Sequence, residues 1–135
     1  MASDPTRIDP DKREVYTGTS IPPPVKPIVW LGSSRRDLRD FPDDARQDAG
    51  FDLFEVQCGG APSDFKPMST VGAGVFEIRV HVPGEFRVIY VAKFIDAVYV
   101  LHAFGKRTRK TSKKDRNIAT RRYAELIKQR KQGSR

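Results

Sequence analysis

The stretch that decides the fold runs VFEIRVHV (75–82), EFRVIYVAKF (85–94), AVYVLHAF (97–104) and then GKRTRK (105–110). Phe76, Ile78, Val80 and Val82 alternate with Glu77, Arg79 and His81, the period-two pattern of a strand with one apolar face. Pro83-Gly84-Glu85 supplies turn chemistry. A three-residue loop there sets Val82 opposite Phe86, Val80 opposite Val88 and Ile78 opposite Tyr90. One face of the hairpin is then wholly apolar or aromatic. A two-residue loop would set Val80 opposite Arg87 and mix the faces, so it is rejected. The polar face carries Glu77, Arg79 and Arg87, with the two arginines one diagonal step apart. Where His102 falls depends on the turn around Ile95-Asp96. An even loop sets it opposite Ile89 on the cationic face; an odd loop turns it into the core.

Outward from the hairpin, a strand is expected over 26–31, broken by Gly32. Ser34 with Asp37 three residues later resembles a capping box for a short helix holding Leu38 and Phe41. Pro42, Asp43 and Asp44 suit the first turn of a second helix, where proline lacks no needed donor and carboxylates favour the dipole. Ala45, Ala49, Leu53 and Val56 form its apolar stripe, and Gly59-Gly60 ends it. The segment 60–70 is expected as a loop. Ser112 and Asp115 form another capping-box pattern, ahead of Ile118, Ala119, Tyr123, Leu126 and Ile127 at helical spacing with a basic outer face. The order β-α-α-β-β-β-α predicts an α+β domain, an antiparallel meander packed by helices.

Residues 1–25 are polar and end in Ile21-Pro22-Pro23-Pro24, and are expected as a flexible extension to a single domain over 26–135. The formal charge of +8 is unevenly spread. Residues 105–135 hold 13 Lys or Arg against Asp115 and Glu125, whereas residues 1–104 hold 12 basic and 15 acidic groups. A balanced globule with a basic end points to a polyanion, more readily nucleic acid than membrane. A solubilising tail is the plainer alternative. Cys58 is the only cysteine, so no intramolecular disulfide forms, and its place beside Gly59 suits packing rather than nucleophilic chemistry. Two histidines offer no metal-ligand spacing. No apolar run approaches a membrane span and no signal region opens the chain, so a cytoplasmic protein is expected.

Glu77, Arg79, Arg87 and His102 are the candidate catalytic residues. Cleaving RNA takes a group to accept the 2′-hydroxyl proton, a group to protonate the leaving oxygen, and cations for the charge building on phosphorus. Glu77 or His102 can serve as base, and His102 is the better acid because imidazole titrates near neutrality. Arg79 and Arg87 can hold phosphate oxygens in bidentate geometry. Lys66, Lys106, Arg107, Arg109 and Lys110 are candidate RNA contacts, and simple solvated charges are the alternative. Tyr90 falls on the apolar face and is expected in the core, and His81 near the turn is expected to be merely exposed. Arg87→Ala is expected to spare the fold, because Arg87 lies opposite the core face.

The chain resembles the RelE/HigB-type toxins of bacterial toxin–antitoxin pairs, and among them the phage-associated HigB-like branch. The resemblance rests on Lys26 entering Pro27-Ile28-Val29-Trp30-Leu31-Gly32-Ser33-Ser34, on Phe41-Pro42, on Phe65-Lys66-Pro67-Met68, and on Gly74-Val75-Phe76-Glu77-Ile78-Arg79. It continues through Phe86-Arg87-Val88-Ile89-Tyr90 and Tyr99-Val100-Leu101-His102-Ala103-Phe104-Gly105-Lys106. It covers about 26–131 and implies a ribosome-dependent messenger RNA endonuclease, in which a 2′-hydroxyl attacks the adjacent phosphate and neither metal nor other cofactor is needed. It also implies a bound antitoxin, often a helix-turn-helix protein. Arg79 and Arg87 match the family's basic sheet positions, and Lys106 and Arg107 match the basic pair after the last strand. Glu77 stands where some relatives place lysine, and His102 is shared with only some branches. A non-catalytic RNA- or ribosome-binding module, and an inactive antitoxin-binding homologue, are the rival expectations.

Overall fold

A computed structural model of the protein describes residues 25–106 and 110–133, which fold as an α+β domain. The elements are β1 (Ile28–Trp30), α1 (Ser34–Arg39), α2 (Asp43–Gln57), β2 (Phe65–Pro67), β3 (Val75–Val80), β4 (Phe86–Val91), β5 (Val98–Gly105) and α3 (Lys113–Gly133). They build one five-stranded sheet in the order β1-β5-β4-β3-β2. From β3 to β5 it is the expected antiparallel meander, which β2 extends at one edge, and β1 joins the far edge parallel to β5, with Ile28 opposite Val98. The strand β2 was not expected. Phe65–Pro67 reads as loop because Pro67 has no N–H to donate, a lack that an edge strand tolerates.

The hairpin register differs from the expected one by two residues. Val80 pairs with Phe86, Ile78 with Val88 and Phe76 with Tyr90, so the connection spans 81–85 rather than 83–85. The Glu85 N–H donates to Val82 O at 2.9 Å, with Pro83 and Gly84 (φ +108°) at the centre, the sequence of a type II turn. Glu85 itself takes φ +49°, which cannot continue a ladder. A slip of two preserves the faces. It also brings Arg79 directly opposite Arg87 rather than diagonal to it.

The second turn resolves the position of His102. Val91 pairs with Tyr99, which leaves 92–98 between them, an odd count. A register shift between Ile89 and Tyr90 then sets Ile89 opposite His102. This irregularity, with Leu101 as the extra residue, moves the imidazole from the parity of the core to the face of Glu77.

The sheet is buried on both faces. One covers Ile78, Val80, Val88, Tyr90, Val98, Val100 and Ala103 with α1 and α2, using the expected Ala45, Ala49, Leu53 and Val56 stripe. The other packs Val75, Ile89, Val91, Leu101 and Phe104 under Ala119 and Leu126 of α3. The face expected to be polar and open is thus largely roofed by α3. The Ser112 cap of α3 forms as expected: its Oγ accepts from the Asp115 N–H at 3.1 Å. At α1, Ser33 rather than Ser34 holds the capping position, and its hydroxyl donates to Asp37 at 2.7 Å. Ser34 is buried and donates to Val100 O. Phe41 follows α1 and still enters the core, and Pro42 is the cap of α2 rather than its first helical residue.

Candidate functional site

The charged side chains of the second face form a lattice set by strand register. Lys66 on β2 stands opposite Glu77 on β3, and Arg79 on β3 stands opposite Arg87 on β4. Glu77 is 0% exposed. Its Oε2 accepts from the Thr111 hydroxyl at 2.5 Å, while Oε1 lies 3.7 Å from both Lys66 Nζ and Arg87 Nε. A carboxylate stripped of water is tolerated when paired in this way. Arg87 is 4% exposed, and its Nη1 donates to Phe86 O at 2.9 Å and to Glu85 at 3.0 Å. Lys106 is also buried. Burial first, then the neighbouring Arg87 charge, depresses its pKa, with Glu77 opposing. Two guanidinium groups directly opposite each other repel. Here Glu77, Glu85 and Asp64 (3.9 Å from Arg79 Nε) offset that repulsion.

The solvent side of the lattice is half open. Side-chain exposure is 40% at Lys66 and 37% at Arg79. His81, expected to be merely exposed, instead bridges two carboxylates: Nδ1 lies 3.1 Å from Glu85, and Nε2 makes a short contact with Asp64. The bond to Asp64 foremost, then that to Glu85, raises the His81 pKa. The same bond to His81, then Arg87, lowers that of Glu85.

His102 shares the face but not the cluster. It and Glu77 flank Ile89 from the two neighbouring strands, two strand spacings or ~9.5 Å of backbone apart. Its Nε2–H donates to Asp115 Oδ1 at 2.7 Å, the ring stacks on Phe104 at 4.9 Å, and buried Nδ1 has no hydrogen-bond partner among the described residues. Burial lowers its pKa and outweighs the opposing Asp115 carboxylate. The expected constellation therefore divides. Glu77, Arg79, Arg87, Lys66 and Lys106 come together, and His102 is a buried contact to α3.

Tyr90 sits in the α1/α2 core as expected, where burial and then the Asp52 charge push its pKa up to about 12. Lys110 is exposed. Arg107, Arg109 and residues 1–24 of the expected extension lie outside the described residues. The sequence did not single out Thr111, Asp64 or Glu85. Thr111 follows the basic run with no motif of its own, and the two carboxylates reach the cluster only through a tertiary fold. Arg130, on the basic outer face of α3, is not simply solvated. It donates to Asp96 at 3.1 Å and to the Tyr99 hydroxyl at 3.0 Å, and lies 3.9 Å over the Phe94 ring.

Among the described residues no group of three or more His, Cys, Asp or Glu is placed to hold a metal ion, and no helix is long and apolar enough to cross a membrane. Fold and cluster together define a small α+β domain carrying a cationic site on the outer end of its sheet. Residues 36–124 match the profile of the family described as phage derived protein Gp49-like (DUF891), and the chain belongs to that family. The family is RelE/HigB-like, and membership agrees with a toxin of a toxin–antitoxin pair. No curated protein matches the sequence.

Proposed function

We propose that the protein is the toxin of a toxin–antitoxin pair, and that it cuts messenger RNA on the ribosome, in the cytoplasm, until a cognate antitoxin, of the helix-turn-helix type that the resemblance implies, neutralises it. The observation that carries this reading is the direct opposition of Arg79 and Arg87, with Lys66 and Lys106 in the same electrostatic neighbourhood. Such a cation cluster suits the charge that builds on phosphorus as the 2′-oxygen bonds to it and the bond to the 5′-oxygen breaks. Lys106, with its depressed pKa, is suited to protonate the leaving 5′-oxygen. The 2′-hydroxyl proton passes to solvent at the half-open rim. Glu77 is taken up by Thr111, Lys66 and Arg87, and His102 rests on Asp115 away from the cluster, so their part is to position neighbours rather than to touch RNA. The nucleophile is internal to the substrate, and no metal enters the proposed step.

The test is induced expression with mapping of messenger RNA 5′ ends. Arg79→Ala is the cleaner variant, because Arg79 is partly exposed while Arg87 is buried against Glu77. Loss of this donor should lower cleavage by roughly 10²–10³-fold. An Arg79→Ala protein that cuts like the wild type overturns the assignment. Burial of both Glu77 and His102 favours a second reading, a module that binds RNA or the ribosome without cutting. New 5′ ends produced by the wild type would eliminate it.

A further inference from the structure

The Glu85 carboxylate is held as an oxyanion substrate would be. Arg87 Nη1 (3.0 Å) and His81 Nδ1 (3.1 Å) converge on the same oxygen, Oε1. We propose that His81 and Arg87 form a seat for a phosphate group of RNA, and that the Glu85 carboxylate fills this seat in the free protein. The inference rests on the RNA-directed reading above and names the group that the rim receives.

Several observations support it. The two donors are held from behind by partners other than Glu85. The Arg87 guanidinium is fixed by Phe86 O at 2.9 Å and faces Glu77 at 3.7 Å, while the far nitrogen of His81 rests on Asp64. Removal of Glu85 therefore leaves the seat aimed and ready, which lowers the ordering cost of binding. Glu85 itself is weakly committed: its side chain is 44% exposed and its backbone is at φ +49° in a Pro-Gly turn. A phosphodiester entering the seat also gains Arg79, whose repulsion with Arg87 an incoming anion relieves. Both ring nitrogens of His81 face carboxylates, which favours the doubly protonated ring, whose Nδ1–H can donate to a phosphate oxygen.

The experiment measures binding of inorganic phosphate, and of a 2′-O-methyl oligoribonucleotide that cannot be cut, to the full chain. The variants are Glu85→Gln, His81→Gln and, as a charge control, Asp43→Asn, which removes an exposed carboxylate paired with Arg46 on α2. Glu85→Gln should tighten both probes by roughly three- to fivefold, the scale of one exposed ion pair, and Asp43→Asn should not. His81→Gln should weaken both. The groups facing His81 are Asp64 from the segment before β2 and Glu85 in the turn, and these carboxylates in turn pair with Arg79 on β3 and Arg87 on β4. Oligonucleotide binding, whose phosphodiesters keep their charge, should fall as pH rises through the raised His81 pKa, and His81→Gln should flatten that fall. Equal tightening by Glu85→Gln and Asp43→Asn, or unchanged binding by His81→Gln, overturns the seat. Messenger RNA 5′ ends separate the two claims. Cleavage by the wild type with no binding change in either variant removes the seat alone. The expected binding changes without any new 5′ ends keep the seat and remove the nuclease.

Discussion

At the scale of single residues, Glu77 is the point on which the cluster balances. It is fully buried, and its partners Arg87, Lys66 and Thr111 come from three separate parts of the chain. Glu77→Ala should cost about 3–5 kcal/mol, because buried Arg87 then keeps only the half-exposed Glu85 as a counter-charge. Arg87→Ala should be costly for the reciprocal reason, so the expectation that it spares the fold does not survive the burial of this face. Glu77→Leu combined with Arg87→Met should recover most of the loss in urea unfolding, since an apolar pair of similar volume replaces both charges. A double variant no more stable than Glu77→Ala would show that the ion pair does not set the penalty. His102 makes a second prediction. Its folded pKa lies below the ordinary value of 6.5, so the unfolded chain binds more protons in the window just below that value. Stability therefore falls as pH drops through 6.5 toward the folded pKa. His102→Gln should flatten this part of the melting-temperature profile, and an unchanged slope would contradict the assignment.

At the scale of elements, α3 is fastened at both ends. Asp115 meets His102 near its start, Arg122 donates to Leu101 O at 2.9 Å in the middle, and Arg130 reaches Asp96, Tyr99 and Phe94 near its end. Arg130→Ala should cost about 1–2 kcal/mol from a charged hydrogen bond and a cation–π contact. The loss should appear as faster amide exchange in the last turns of α3, and uniform exchange across the helix would argue against a local anchor. The legibility of the fold follows the same line between local and tertiary causes. Alternation along 75–91 was enough to sort the two faces of the hairpin, because a slip of two residues changes partners and leaves every side chain on its face. The α2 stripe and the Ser112 cap were readable because their causes lie within a few residues. The bulge beside Leu101 has no such mark, and with it the place of His102 stayed undecided. Nor does a strand pattern say what roofs its polar face. Glu77 and Arg87 read as exposed, because Thr111, Lys66 and Glu85 reach them only through the fold.

At the scale of the whole molecule, the charge map changes meaning once the chain is folded. The sequence carries +8, concentrated in residues 105–135. Yet Lys106 is buried, Arg122 is spent on Leu101 O and Ser33, and Arg130 is spent on Asp96 and Tyr99. Part of the basic end is thus structural, and among the described residues of the cluster the half-exposed cations sit on β2 and β3 at Lys66 and Arg79. Composition alone pointed to a polyanion and could not separate these two uses of a positive charge. The difference is measurable. Each phosphate contact to a single strand contributes about 0.7 to the slope of log K against log salt. Replacing Lys66 and Arg79 together with Gln should therefore flatten that slope by about 1.4 for an uncleavable single-stranded RNA. Lys114 and Lys128 lie exposed on α3, and the matching pair of Gln substitutions there should leave the slope nearly unchanged. Equal flattening by the two pairs would mean that α3 acts as a nonspecific tether, and the RNA path would then not run across the Arg79–Arg87 face.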